Sequence, residues 1–358
     1  MKEIKKLLFV LAVSGLMVAI HPAEGFCTIE ITDAADRRII LDKLPERIVV
    51  IGTAAFIVLH MLYMFDETKE RLKGFEMKVK KQDEFLKLLD PGLELKQILN
   101  INPGPESVAA LKPDLVISKG TMEGNMSRSL KPLGIPVLYL GAENPDMFLS
   151  DIKILGEVFG NPERANKIIQ YYRDKLSLIH QKVDAMPTGE KPTVLVLQYS
   201  NRGKNLSLNV PTREWIQTQQ VLISGGAPVW LDSLNIRGGW QITGFEQIAA
   251  WNPDKIFMIV WNQLKGADVI KSLYRDSKWS LLNALQQNHL YLFPQDLFGW
   301  DTPTPRWILG ALWMAKMTYP EKLGPDELDI KKTVRQFFKL LYRMDETTIE
   351  QHILPKLN

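Results

Sequence analysis

Eight side chains suited to holding a ligand fall in or beside the loops that follow apolar runs: Thr53, Lys119, Tyr199, Arg202, Arg237, Trp240, Trp261 and Trp300. Arginine presents a planar fork of N–H donors that fits a carboxylate or an oxyanion, and tryptophan presents a flat apolar face that fits a chelate or a macrocycle. Trp240 follows Gly238-Gly239, which expose backbone beside its ring. The plain alternatives are a core role for Trp261 and ordinary solvated loop positions for Arg202 and Lys119. The chemistry on offer is binding rather than catalysis, because the chain has no GxSxG, HExxH, Walker A or GxGxxG pattern. His60, His180, His289 and His352 are scattered without ligand spacing, which disfavours a bare divalent metal, and the single cysteine, Cys27, excludes an internal disulfide.

The elements that must position these groups read as an α/β fold. Ile48-Val49-Val50-Ile51, Leu115-Val116-Ile117, Val137-Leu138-Tyr139-Leu140 and Thr193-Val194-Leu195-Val196-Leu197 are unbroken apolar runs of the kind found in parallel strands covered on both faces. Thr28–Thr32 and Arg37–Leu41 flank a turn and predict an edge hairpin, and Ala54 to Phe65 predicts an apolar helix. The charged stretch from Lys69 to Lys96 is expected to be exposed helix and loop. Ligands of open parallel sheets gather beyond the carboxyl ends of the strands, so the loops there are the expected binding walls.

Asn161 to Pro187 predicts one long helix. Asn161 is an N-cap, Pro162 stands where a helix accepts proline best, and Pro187 forbids continuation. Ala165, Ile168, Ile169, Tyr172, Leu176, Ile179 and Val183 form one apolar stripe along it. Such a rod either packs on one core or joins two. The flanking sequence favours joining: Glu106-Ser107-Val108-Ala109-Ala110-Leu111-Lys112-Pro113-Asp114 aligns without gaps on the segment starting at Glu246, matching at Glu, both alanines, Pro and Asp. The expected fold class is therefore two parallel-sheet α/β lobes joined by a single long backbone helix, divided as 26–160, 161–186 and 187–358. The late stretches Thr304 to Lys316 and Ile330 to Tyr342 are helical by pattern and are expected to pack on the second lobe.

A chain of 358 residues with 46% hydrophobic content has material for two cores, and its formal charge of +3 is unclustered, so nucleic acid is not an expected partner. Lys2, Lys5 and Lys6, the apolar run Leu7 to Ile20, and Ala23 and Gly25 have the layout of a signal peptide over residues 1–25. The run is short for a membrane span. Phe26 holds the place where lipid attachment to Cys27 would need a small residue. The expectation is a soluble exported monomer, periplasmic or otherwise extracytoplasmic.

These residues resemble a known family, the substrate-binding proteins of ABC importers for iron complexes and corrinoids. The resemblance is carried by ITDAADRRIILDKLPERIVVIG, ESVAALKPDLVI, LGEVFGNPERANKI, GGWQITGFEQIAAWNPDKI and DTPTPRWILGALWMAKMTYPE, and it covers nearly all of the mature chain. It implies a cargo cleft between the lobes, with Trp240, six residues before Glu246, facing the ligand. It also implies that Glu106 and Glu246 dock on arginines of the permease, which works with its ATPase subunits in the inner membrane. A Glu in the first turn of a short helix also favours the helix dipole, which is the structural alternative for both. The expected cargo is a metal complex, foremost a ferric siderophore, with a corrinoid or a molybdate or tungstate oxyanion as alternatives; Thr53, Ser200 and Arg237 would serve the oxyanion. Arg306 is read either as a structural tie or as a cleft residue. No resident cofactor is expected. A chelatase-like enzyme is the remote alternative, since the clustered Cys or His/Glu insertion site it needs is missing from the sequence.

Overall fold

The computed structural model describes residues 28–357 except 53, 78–82, 121–124, 184–190, 203–204, 233–237, 262–263 and 325. The proposed signal segment, Cys27, Thr53 and Arg237 lie outside the described residues. After a hairpin of β1 (Ile29–Thr32) and β2 (Arg38–Leu41), the first sheet is built from β3 (Ile48–Ile51), β4 (Leu72–Glu76), β5 (Gln97–Leu99), β6 (Leu115–Lys119) and β7 (Val137–Leu140). Its order is β5-β4-β3-β6-β7, and every pairing is parallel. β3 and β7 are buried along their whole length, as continuous apolar runs require.

β4 runs through the stretch expected to be helix and loop. Its sequence, Leu-Lys-Gly-Phe-Glu, carries two charges, yet Leu72, Phe75 and Glu76 are buried. Gly74 leaves no room for a side chain, because a Cβ there would stand 2.6 Å from Leu111 and 2.9 Å from the Gln97 carbonyl oxygen. The strand was hidden by polar residues whose side chains have structural partners.

The second sheet contains β8 (Thr193–Arg202), β9 (Asn205–Val210), β10 (Ala227–Pro228), β11 (Gln241–Thr243), β12 (Lys255–Val260) and β13 (Leu290–Leu292). β8, β12 and β13 are parallel, and β10 pairs parallel with β8. β9 and β11 are antiparallel additions, so this sheet is mixed rather than wholly parallel.

Between the sheets runs the Pro162–Val183 helix of 22 residues, roughly 33 Å long at 1.5 Å per residue. The Asn161 side chain accepts the Arg164 N–H at 3.0 Å, closing its N-terminus. Ala165, Ile168, Ile169, Tyr172, Ile179 and Val183 are buried on the expected stripe. The helix holds both lobes: Arg164 Nε donates to the Met64 carbonyl at 2.8 Å, and Tyr172 Oη donates to the Pro305 carbonyl at 2.6 Å.

The Ile330–Tyr342 helix does not pack on the second lobe alone. Phe338 and Tyr342 lie against Phe85 of the first lobe, with ring centroids 6.0 and 5.0 Å apart, and Tyr342 Oη donates to the His60 carbonyl. One continuous hydrophobic cluster consequently runs from β3 through the linking helix to the C-terminal helices. Among the described residues no helix is long and apolar enough to cross a membrane.

Candidate functional site

Ligand chemistry in such sheets belongs beyond the carboxyl ends of the parallel strands. In the first lobe that face opens with Gly52, whose φ of +101° is a conformation few side chains adopt. Glu76, the last residue of β4, is 4% exposed, and its carboxylate accepts the Gly52 N–H at 2.7 Å and the Asn102 N–H at 3.1 Å. Two backbone donors at this end are thus already satisfied by the Glu76 side chain. Lys119 ends β6, and its ammonium is ion-paired with Glu143 in the loop after β7.

That loop is held from beneath. The buried Asp151 carboxylate accepts the Gly141 N–H at 3.1 Å and the Ala142 N–H at 2.8 Å, while Ala142 sits at φ +44°. Burial pushes the Asp151 carboxyl up to about 7, overcoming the two backbone hydrogen bonds and the Lys119 charge that favour the anion.

The second lobe presents aromatics. Trp261 follows the end of β12, and Trp240 precedes β11. Their rings meet edge to face, with centroids 5.6 Å apart and planes at 83°. Trp215, just before the Ile216–Ile223 helix, extends the series, meeting Trp240 at 5.6 Å and 79°. All three are partly exposed and form a ladder of rings, of which Trp240 and Trp261 also pack against the hydrophobic core. Tyr199 stands beside it on β8, in register with Val260. Trp261 Nε1 donates to Asp301 at 2.9 Å; burial raises that carboxyl to about 6, against the opposing pull of the indole hydrogen bond. Arg202 ends β8, and only its backbone is described.

Trp300 does not join this surface. It is 0% exposed, and its indole N–H donates to Asp296 at 3.1 Å, so the flat surface expected of it is enclosed in the core. Arg306 is likewise structural and fully buried: Nε donates to Asp296 at 2.8 and 3.0 Å, and the guanidinium lies 4.1 Å over the Phe85 ring. One Nη approaches His60 Nδ1 at 3.4 Å. Burial, then the Arg306 charge, holds the His60 ring well below its usual range, so the imidazole is neutral. This cluster joins the lobes at their packed side.

Glu106 and Glu246 are exposed in the first turns of the Pro105–Ala109 and Phe245–Trp251 helices, each after a glycine N-cap. Among the described residues, two concave regions of about 750 and 920 Å³ lie elsewhere. They are lined by Pro113 and Asp114 in one lobe and by Thr193, Asp254 and Lys255 in the other, at the amino ends of the strands. Among the described residues no group of three or more His, Cys, Asp or Glu is placed to hold a metal ion.

Sequence reasoning missed Glu76, Asp151, Trp215 and Asp301. The first stands in the charged stretch that conceals β4, and Asp151 lies mid-helix in Pro145–Phe159. Trp215 lies in a loop with no strand before it of the expected type. Asp301 opens the DTPTPRW segment, whose threonines and prolines read as an ordinary loop.

Comparison with known proteins agrees with this architecture. Residues 77–297 match the family model described as periplasmic binding protein. The molybdate-binding protein MolA of Haemophilus influenzae is 23% identical over 344 residues, covering 87% of this chain and 90% of that protein. The Fe(3+) dicitrate-binding periplasmic protein FecB of Escherichia coli is 24% identical, over 52% of this chain and 58% of that protein. A solved periplasmic solute binding protein from Veillonella parvula superposes with a TM-score of 0.72 at 24% identity, over 91% of this chain and 97% of that one. MolA bound to molybdate superposes with a TM-score of 0.70 at 21% identity, over 88% and 98%. With a matched segment spanning most of both lobes, the chain belongs to the periplasmic binding protein family and is a substrate-binding protein of the ABC-transporter type.

Proposed function

We propose that the chain captures a metal complex bearing a flat or apolar organic face, foremost a ferric siderophore, and delivers it to an ABC permease outside the cytoplasm. The observation that carries this reading is the ladder Trp215–Trp240–Trp261, three partly exposed indoles that begin at Trp261, just beyond the carboxyl end of β12. Each indole face buries a large apolar area on contact, and offset rings suit an extended ligand better than a four-oxygen ion. In the first lobe, the Lys119–Glu143 ion pair beyond the ends of β6 and β7 offers polar atoms to the complex. The cleft lies between lobes 26–160 and 187–358, with residues 161–186 as the connector. Glu106 and Glu246 meet the permease.

A bare oxyanion is the second reading, favoured by the similarity to MolA over 87% of the chain. It would draw on Thr53, Ser200, Arg202 and Arg237. Against it stand the amides of Gly52, Gly141 and Ala142, which a bound oxyanion would use and which already serve Glu76 and Asp151. A corrinoid fits the ladder as a siderophore does.

Native mass spectrometry with elemental analysis of the exported protein separates these readings. Iron with an organic chelator is the expected finding. Molybdenum or tungsten without organic mass would replace the first reading by the second, and calorimetry with ferric siderophores, cobalamin and sodium molybdate would give the order of affinity.

A further inference from the structure

We infer that Asp301 is a positioning residue for cargo binding: it fixes the Trp261 indole by its ring N–H and so holds the three-tryptophan ladder in one geometry. The inference rests on the reading of the ladder as the cargo surface. Its basis is a chain of contacts. Asp301 is 2% exposed and takes the Trp261 Nε1 hydrogen at 2.9 Å. Trp261 meets Trp240 edge to face, and Trp240 meets Trp215 in the same manner. An indole has a single donor, so one acceptor decides which way the ring is turned.

Two further observations separate this from incidental packing. The chain makes room for the carboxylate, since a Cβ on Gly299 would stand 2.3 Å from Asp301 Oδ1. Gly299 is not among the glycines with positive φ, so clearance is what an alanine there would violate. In addition, burial disfavours the charged carboxyl, and an apolar side chain of similar size would avoid that cost. A buried acid under those conditions is explained by the orientation it imposes on a partly exposed ring.

The test compares wild type with Asp301→Asn, Asp301→Leu and Gly299→Ala. Near-ultraviolet circular dichroism of the free protein reads the coupled indoles, and tryptophan-quenching titrations with a ferric tris-catecholate complex and with cobalamin read affinity. Asp301→Asn keeps an acceptor oxygen and is expected to keep the indole bands and affinity. Asp301→Leu and Gly299→Ala are expected to alter the bands and weaken the bound probe about tenfold, with far-ultraviolet spectra unchanged. Unaltered bands and affinity in both variants, or a lowered melting temperature with bands and affinity unchanged, would overturn the inference. If Asp301→Leu does not fold, Gly299→Ala against Asp301→Asn decides in the same way. If wild type binds neither probe, the cargo reading fails, while the indole bands of the free variants still judge the orientation by Asp301.

Discussion

Asp114 and Asp254 hold the same place in two different sheets. Each is the residue immediately before an interior parallel strand, β6 or β12, and each carboxylate accepts the backbone N–H of the residue before the first pair on the neighbouring central strand. Asp114 takes the Arg47 N–H at 2.8 Å, where Ile48 pairs with Leu115; Asp254 takes the Thr193 N–H at 2.8 Å, where Val194 pairs with Lys255. Ahead of each lies a proline, and ahead of that a residue with positive φ, Lys112 at +48° and Asn252 at +40°. The repeated Glu-to-Pro-Asp segment is therefore a device for starting a parallel pair in register.

Removing either carboxylate should loosen its own lobe. Asp114→Ala and Asp254→Ala are each expected to lower stability by about 1.5–3 kcal/mol, the range for hydrogen bonds to a charged group. The two sites share no partner, so the double variant should show the sum to within about 0.5 kcal/mol. Urea denaturation of the four proteins measures this; a double variant no worse than the worse single one would contradict independent roles.

How much of this was readable beforehand follows from where each side chain points. The apolar strands, the stripe on the linking helix and the Glu-to-Pro-Asp repeat announce themselves because burial and register constrain residue type directly. β4 did not, since Lys73 and Glu76 belong to a strand whose end meets backbone donors rather than solvent. The site was only half legible. Trp240 and Trp261 stand together, but Trp300 turns inward to Asp296, and nothing in a loop tryptophan's sequence says which side of the chain its ring will take. Trp215 joins them only through the fold.

The Arg306–Asp296 pair should be among the most sensitive points of the molecule. Both side chains are 0% exposed, and Asp296 also serves the N–H of Phe298 and the indole of Trp300. Arg306→Met leaves a buried carboxylate without its counter-charge, a change that costs about 3–5 kcal/mol. Combining it with Asp296→Asn removes the stranded charge and should recover a substantial part of the loss. Equilibrium unfolding of the single and double variants tests this, and equal destabilisation by both would show that charge pairing is not the cause.

Asp151 should give stability a measurable pH slope. Its folded carboxyl lies near 7, above its ordinary value of 3.8, so the native state binds the proton more tightly than the unfolded chain. This contribution is fully present below about 4 and is lost as pH rises through about 7. Asp151→Asn cannot titrate, and its stability curve should lack that falling component between pH 4 and 7, even though the variant is weaker overall through poorer acceptance from Gly141 and Ala142. Thermal melts of both proteins across this window are the measurement; parallel curves would remove Asp151 as the source.

Glu106 and Glu246 allow the structural and the docking readings to be separated in one experiment. Each carboxylate folds back over its own helix start, with Oε2 at 2.9 Å and 3.2 Å from where a Cβ would stand on Gly104 and Gly244. If easing the helix dipole were their only task, Glu106→Gln and Glu246→Gln would leave transport untouched, because the gain on an exposed first turn is small and screened by solvent. If they meet basic groups of the permease, each neutralised glutamate weakens one of two separated contacts. The expected outcome is unchanged cargo affinity and an unchanged melting temperature in both variants, reduced cargo uptake by cells carrying either, and near-complete loss with both. Cargo affinity is read on the isolated protein and uptake in cells matched for the amount exported. Full uptake by the double variant would return both residues to the plain role of helix starters.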